Sequence, residues 1–153
     1  MTTEERKLKA RELFLNGYNC SQAVFCAYAE DYGIPMELAL KLSASFGGGI
    51  ARMRETCGAV CGMSMLVGLE KGQTEPNDSK AKQENYKAAQ ALIEKFKQIN
   101  GNIKCSELLN LRKDAIITSV PDERTAEYYK KRPCLMMVES AVEIFEKRNE
   151  YYK

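Results

Sequence analysis

Four of the six cysteines in this chain stand at or near predicted helix starts, where a thiol is suited to redox or metal chemistry. The first backbone N–H groups of a helix have no partner within it, and the helix dipole is positive there, so both favour a thiolate over a thiol. Thiolates attack disulfides and bind zinc or iron–sulfur clusters. If these helix starts converge, the sequence predicts one shared thiol site, with catalytic or metal-ligating roles for Cys20, Cys57, Cys105 and Cys134.

The centre of this site is predicted in the segment 46–69, which reads FGGGIARMRETCGAVCGMSMLVGL. Three successive glycines remove every side chain from a loop, so backbone or a cofactor can approach closely. Thr56 is the predicted N-cap of the next helix, which places Cys57 in its first turn. Two further glycines, four residues apart, form a stripe without side chains on one face of that helix. Another helix or a bound group can pack closely against this stripe. The predicted cofactor-binding glycines are Gly47, Gly48, Gly49, Gly58 and Gly62.

The two remaining cysteines are separated from this set by their positions on the helices. Cys26 lies six residues after Cys20, about 240° further round an α-helix, so the two cannot share a face and Cys26 is predicted to be a core residue. Cys61 lies four residues after Cys57 and does share its face. For Cys61, the sequence leaves open whether the residue only packs in the core or acts as a second functional thiol.

Several neighbours of Cys57 have simpler interpretations. Met63 and Met65 are predicted to fill the core and not to act as soft metal ligands. Arg52, Arg54 and Glu55, beside the glycine loop, are predicted to be solvated, although an arginine near a thiolate would lower the pKa of that thiol.

The spacing of apolar residues predicts an all-α fold, a single-domain bundle of about six to seven helices over residues 1–153. A chain of this length can bury one core and is short for two domains. The β-branched run 116–120 is predicted to be a loop, because a lone strand would have no partner. The predicted helices run from Thr2 or Thr3 to about Asn16, Cys20 to about Tyr32, Pro35 to about Ser45, Cys57 to about Glu70, Lys80 to about Ile99, from about Cys105, Asp122 to Lys131, and from Pro133 onward.

The charge pattern and composition exclude several classes of partner. With 23 Lys and Arg against 21 Asp and Glu, interspersed along the chain, no basic surface for nucleic acid is expected. The chain opens on MTTEERKLKARELF, and no run approaches the roughly 18 apolar residues that span a bilayer, so neither a targeting segment nor a membrane span is predicted. A cytoplasmic location is expected. Because that compartment keeps thiols reduced, six cysteines there favour metal binding or redox turnover over permanent disulfides.

Absent residue types exclude further sites. The chain has no histidine, which excludes haem c attachment, a Cys/His dyad and any zinc site that uses histidine. It has no C-x-x-C spacing, which excludes a thioredoxin-type motif and a zinc ribbon. The three glycines lack the Gly-Lys-Ser/Thr of a P-loop and no Rossmann unit accompanies them, so nucleotide binding is not supported.

The segment from Cys57 to Gly62 reads Cys-Gly-Ala-Val-Cys-Gly, and with the isolated cysteines it resembles the C_GCAxxG_C_C family of redox-active proteins. The matching residues are Cys57, Gly58, Ala59 and Gly62 in the central motif, and Cys20, Cys105 and Cys134 as the isolated cysteines. The resemblance covers nearly the whole chain. It implies an all-helical small domain, a redox role resting on four cysteines, and genes that lie beside transporter genes. Cys26 and Cys61 are extra to the pattern.

Three hypotheses follow from these residues. In the first, the four cysteines hold an iron–sulfur cluster or another thiophilic metal such as zinc. In the second, Cys57 attacks a disulfide and a neighbouring thiol resolves it, without metal. In the third, the chain is a non-catalytic helical binding module with a structural tetrathiolate zinc, and its function lies on a surface, towards a transporter. The sequence favours a redox role, as an oxidoreductase or an electron carrier with a redox or transporter partner, over the structural module. The first two hypotheses stay open, as does the oligomeric state.

Overall fold

The protein, described over residues 1–153 by a computed structural model, consists of nine α-helices with no β-strand. The all-α prediction is therefore confirmed. Six helices have seven residues or more, and three are shorter. The helices are α1 (Thr3–Leu15), α2 (Cys20–Cys26), α3 (Met36–Ser43), α4 (Gly58–Lys71), α5 (Ser79–Asn100), α6 (Cys105–Leu108), α7 (Ala126–Lys131), α8 (Cys134–Glu146) and α9 (Arg148–Tyr151), with short 3-10 turns at Ala29–Tyr32 and Ala44–Phe46.

Three helices start where local capping residues predict. Thr2 and Glu5 form a reciprocal capping box at the start of α1, and Asn19 and Gln22 form another at the start of α2. Asp78 caps the long helix α5. Each cap satisfies backbone N–H groups that the helix itself leaves without partners, so these starts depend only on neighbouring residues.

The helix predicted from Cys20 to Tyr32 is interrupted. After α2 the chain turns, and only a short 3-10 segment follows. The buried Arg6 of α1 donates a 2.5 Å hydrogen bond to the carbonyl of Ala27 and pairs with Asp31. The N–H groups of Tyr28 and Asp31 bond to carbonyls three residues earlier, those of Phe25 and Tyr28, so the α-helical pattern is lost after Cys26. The contact with Arg6 holds the turn that follows.

The helix predicted from Asp122 to Lys131 starts late, at Ala126, with Thr125 as its N-cap. Asp122 does not cap it because its carboxylate binds arginines at the candidate site described below. Pro133 is the N-cap of α8 and not its first helical residue, so Cys134 opens the helix. The run 116–120 forms no strand, as predicted.

The core lies around α2 and α4. Helix α4 packs between α2, α5 and α8, and α1 covers α2 and α8. Phe14, Leu66, Phe96 and Phe145 are among the largest fully buried side chains. Because α2 and α4 are central and adjacent, their starts are held in a fixed relation to each other. None of the nine helices has both the length and the apolar character that crossing a membrane requires.

Candidate functional site

The starts of four helices meet at one cavity of about 470 Å³. Cys20, Cys105 and Cys134 are the first residues of α2, α6 and α8, and Cys57 is the N-cap of α4. All four line the cavity. Residues that lie far apart in the chain therefore form one thiol-lined site, which is the arrangement that the sequence hypothesis requires.

A short backbone pairing brings Cys57 beside Cys105. The N–H of Cys57 donates to the carbonyl of Ile103 at 2.7 Å, and the N–H of Cys105 donates to the carbonyl of Glu55 at 2.6 Å. Between them Thr56 forms an isolated antiparallel bridge with Lys104. The extended backbone of this bridge is the reason that α4 starts one residue later than predicted, with Cys57 as its N-cap in place of Thr56.

Gly58 and Gly62 allow α4 to lie directly against α2. A Cβ on Gly58 would lie 3.2 Å from the Cβ of Cys20, and a Cβ on Gly62 would lie 2.9 Å from the carbonyl oxygen of Ser21. Gly58 lines the cavity and Gly62 does not. The close approach of these helices brings the Cys20 and Cys57 starts to the same cavity wall.

The loop 47–49 packs onto the helix starts in the same way. A Cβ on Gly47 would lie 2.1 Å from the Cγ of Asn19, and one on Gly49 would lie 2.5 Å from the Cβ of Cys105. All three glycines of the loop line the cavity. The absence of side chains in this loop therefore lets its backbone contact the starts of α2 and α6, and it also leaves the cavity accessible.

The residues after this loop adopt an uncommon left-handed backbone. Ile50, Ala51, Arg52 and Arg54 have φ values of 65°, 51°, 62° and 62°. Each such residue is disfavoured by about 1–2 kcal/mol because its Cβ crowds the following carbonyl. Hydrogen bonds from Ala51 N–H to the Ser45 carbonyl (2.7 Å) and from Glu55 N–H to the Gly49 carbonyl (2.8 Å) hold the segment. Strained backbone of this kind is concentrated at functional sites.

Arginines dominate the charge of the cavity. Its lining includes Arg52, Arg54, Arg124 and Arg132, and a single carboxylate, that of Asp122. The same Asp122 oxygen lies 3.1 Å from Arg52, 3.8 Å from Arg54 and 2.8 Å from Arg132. The prediction that Arg52 and Arg54 are solvated is wrong: their side chains are only 17% and 12% exposed. The segment before α7 folds over them, with Arg52 donating to the carbonyl of Thr118.

Cys134 and Cys20 are neighbouring thiols that shift each other's acidity. The interaction with the Cys20 thiol is the main cause that lowers the pKa of Cys134 below its ordinary value. Burial opposes ionisation, while Arg132, Tyr128 and Arg124 favour it. The same interaction, together with burial, raises the pKa of Cys20. Of the two thiols, Cys134 is therefore the one that ionises more readily.

The other two site cysteines are held as thiols. Burial raises the pKa of Cys57 to about 12, although the N–H groups of Ala59 and Val60 favour its thiolate. Burial also raises the pKa of Cys105 despite Arg54 lying 3.7 Å from its sulfur. The expectation that all four helix starts favour a thiolate is thus wrong for three of them. Desolvation of a charged sulfur is the main cause at Cys57 and Cys105, and the interaction with Cys134 is the main cause at Cys20.

The four thiols have the chemistry of a tetrathiolate metal site without its close geometry. No group of three or more Cys, Asp or Glu side chains lies in an arrangement that could hold a metal ion. All six cysteines are free thiols. In this conformation the residues do not fit a single zinc ion, and the sulfurs would have to move towards one another to ligate one.

The remaining predicted residues lie outside the cavity. Cys26 is fully buried, with its sulfur 3.8 Å from the Ser43 hydroxyl, so the prediction of a core residue is confirmed. The Cys61 sulfur lies 3.8 Å from the Thr56 carbonyl and does not reach the cavity. Met63 is fully buried in the core, and Met65 is partly buried and packs against the core. Neither methionine lines the cavity.

The sequence interpretation missed the residues that set the charge of the site. Arg124, Arg132, Asp122 and Tyr128 all line the cavity, and none was identified from the sequence. Arg132 carried a usable signal, because a basic residue two positions before a helix-start cysteine lies close to its sulfur. Asp122 carried none, since its partners Arg52 and Arg54 are distant in the chain.

Over residues 18–148 the chain matches the family described as "Putative redox-active protein (C_GCAxxG_C_C)". The matched range includes all four cavity cysteines and both central glycines. No curated protein matches the chain, and no solved structure does.

Proposed function

Since the chain belongs to the C_GCAxxG_C_C family of redox-active proteins, we propose that Cys134 and Cys20 act as a dithiol that reduces a disulfide substrate. The observation that carries this proposal is that both cysteines are the first residues of helices that open into one cavity, where each thiol shifts the pKa of the other in the opposite direction. A more acidic thiol beside a less acidic one is the arrangement that thiol–disulfide exchange requires.

The reaction proceeds in two exchanges. The Cys134 thiolate attacks one sulfur of the substrate disulfide, the substrate S–S bond breaks, and the first product leaves as a thiolate. Cys20 then loses its proton and attacks the Cys134 sulfur of the mixed disulfide, which releases the second thiolate. Two electrons pass from the protein to the substrate, and a Cys20–Cys134 disulfide remains. The proton from Cys20 goes to one of the departing thiolates.

The attacking thiol in this proposal is Cys134 and not Cys57. With a pKa of about 12, Cys57 is protonated at neutral pH and is a poor nucleophile. Cys134 is also the less buried of the two, since Cys57 is only 5% exposed. Cys57 and Cys105 line the same cavity, and their place in the proposal is to exclude water and support the pair.

A second candidate function is supported by all four matched cysteines lining one cavity. An iron–sulfur cluster is held by four thiolates, and the four sulfurs would have to move towards one another to hold it or the zinc of a structural module. A bound cluster would supply one-electron transfer, which would make the protein an electron carrier. Its partner would then be a redox protein, or the transporter that the family resemblance suggests. A cytoplasmic location, which keeps free thiols reduced, suits both candidates.

The test combines metal analysis with disulfide mapping on one anaerobic preparation. Iron and zinc are measured first, and the reduced protein is then treated with a small disulfide oxidant. We expect two thiols to be lost quickly, and mass spectrometry of the digest to link the Cys20 and Cys134 peptides. Cys134→Ser should abolish the rapid loss, whereas Cys57→Ser should retain it. Cys26→Ser is the matched control, because its thiol lies outside the cavity.

Two outcomes would contradict the dithiol proposal. One is rapid thiol loss that persists in Cys134→Ser or links other cysteines. The other is stoichiometric iron or zinc in the unaltered protein that is lost in each of the four cavity Cys→Ser variants, which would support the metal site instead.

A further inference from the structure

We propose that the substrate reduced by this dithiol is a small disulfide carrying negative charges, recognised by the arginines of the cavity. The inference rests on the proposed function and adds its substrate class. It follows from three observations: the surplus of positive charge at the site, the burial of that charge, and the seclusion of the sulfurs.

The first observation is the charge surplus. Arginine carries its charge at all accessible pH values. Three guanidinium groups, those of Arg52, Arg54 and Arg132, share the one carboxylate of Asp122. Arg124 donates at 2.9 Å and 3.0 Å to the carbonyls of Phe14 and Tyr18, which are neutral acceptors. Even with Asp122 and the Cys134 thiolate ionised, two positive charges at the cavity have no counter-charge on its wall.

The second observation is that this charge is partly desolvated. The side chains of Arg52, Arg54 and Arg132 are 17%, 12% and 23% exposed. A charge withdrawn from water without a partner is costly, and its attraction for an opposite charge is strengthened by the lower local dielectric. An anion that enters the cavity neutralises part of this positive charge, whereas a cation is repelled by the arginines. The contacts of Asp122 also show that a carboxylate fits between these guanidinium groups.

The third observation concerns access. The resolving thiol Cys20 and its neighbours Cys57 and Cys105 are 8%, 5% and 8% exposed, and the attacking thiol Cys134 is half-buried in the same cavity. A substrate disulfide must therefore enter the cavity to meet Cys134, which a small molecule does more easily than a disulfide on a folded partner protein. The cavity volume of about 470 Å³ lies within the range of small-molecule sites, about 300–1,000 Å³. A small soluble disulfide therefore fits the site better than a protein substrate.

The chemical balance is that of the proposed exchange. The disulfide bond of the anionic substrate is reduced to two anionic thiols, and Cys20 and Cys134 are oxidised to one disulfide. No other oxidant takes part in this half-reaction, so it can be followed in a single turnover of the reduced protein.

The test compares three small disulfides of similar length and different charge. These are 3,3′-dithiodipropionate with two carboxylates, bis(2-hydroxyethyl) disulfide with none, and cystamine with two ammonium groups. The rate of Cys20–Cys134 disulfide formation is measured for each at neutral pH and divided by the rate of the same probe with free 2-mercaptoethanol. We expect the normalised rate to fall in that order, with roughly a tenfold or larger difference between the dianion and the dication.

The variant Arg52→Gln tests whether an arginine of the cavity causes the preference for the anionic disulfide. Arg52 lines the cavity but contacts Thr118 and Asp122 and none of the four thiols, so the thiol pair is left in place. We expect this variant to lower the anion-to-cation ratio by about two- to fivefold. Arg11→Gln is the control, since Arg11 pairs with Glu139 on the outer surface of α1 and its replacement removes the same charge outside the cavity.

Ionic strength gives a second measurement that needs no variant. If the preference is electrostatic, the ratio in the unaltered protein should decline as salt is raised. Equal normalised rates for the three probes, or a preference for cystamine, would overturn the anionic-substrate inference while disulfide formation still supports the dithiol. Failure of all three probes to oxidise Cys20 and Cys134 would instead overturn the proposed function itself.

Discussion

Gly62 and Gly68 lie on the same helix, α4, and we expect their replacement by alanine to change stability in opposite directions. A Cβ on Gly68 would meet no atom within 4 Å. A Cβ on Gly62 would lie 2.9 Å from the carbonyl oxygen of Ser21 and 3.1 Å from the Cβ of Val24. The two substitutions are chemically identical and differ only in what the new methyl group meets.

The expected magnitudes follow from two opposing effects. Alanine favours a helix over glycine by about 0.5–1 kcal/mol, mainly because it has less backbone freedom to lose. Gly68→Ala should therefore stabilise the protein by about that amount. At Gly62 the same gain is opposed by overpacking, which costs about 1–3 kcal/mol. Because the atom that the methyl group meets is backbone of α2 and cannot rotate away, we expect a net destabilisation of about 1 kcal/mol.

Urea unfolding of the reduced protein at neutral pH measures both effects. The midpoint should rise for Gly68→Ala and fall for Gly62→Ala with an unchanged slope, and the melting temperature should differ from the unaltered protein by about 2–4 °C per kcal/mol. Stabilisation by Gly62→Ala equal to that by Gly68→Ala would refute the close contact of α2 and α4. The proximity of the Cys20 and Cys57 helix starts would then lose its physical cause.

Three further outcomes are expected. Cys20→Ala removes the thiol that most lowers the pKa of Cys134, so that pKa should rise towards its ordinary value, because an interaction of this kind with a charged group contributes about 1.5–3 kcal/mol. The alkylation rate of Cys134 by iodoacetamide against pH measures this change, and an unchanged profile, as expected for the control Cys26→Ala, would contradict the thiol pair. The raised pKa of Cys57, about 12 against an ordinary 9.0, means that the unfolded chain releases this proton first. Cys57 should therefore contribute a fall in the free energy of unfolding above pH 9 of up to about 1.4 kcal/mol per pH unit, and an equally steep fall in Cys57→Ala would argue against this cause. Ile50→Gly should raise the free energy of unfolding by about 1 kcal/mol, since relief of the left-handed strain exceeds the entropy gained by the unfolded chain; a lower urea midpoint would show that Ile50 is not strained.

The helices whose starts depend on neighbouring residues could be predicted from the sequence. Thr2, Asn19 and Asp78 cap α1, α2 and α5 as expected, because a capping side chain bonds to N–H groups only two or three residues away. Helix ends that depend on distant residues could not be predicted. Arg6 binds the carbonyl of Ala27 in the turn after α2, and the late start of α7 follows from Asp122 binding arginines elsewhere.

The sequence by itself identified the four cysteines and their positions at helix starts, since residue type, caps and spacing are local properties. It could not order their acidities. That order depends on the interaction between the Cys20 and Cys134 thiols and on the burial of Cys57, and both are created by packing between separate helices. Tertiary structure alone also placed the arginines around one carboxylate, because electrostatic partners are chosen by distance in space and not along the chain.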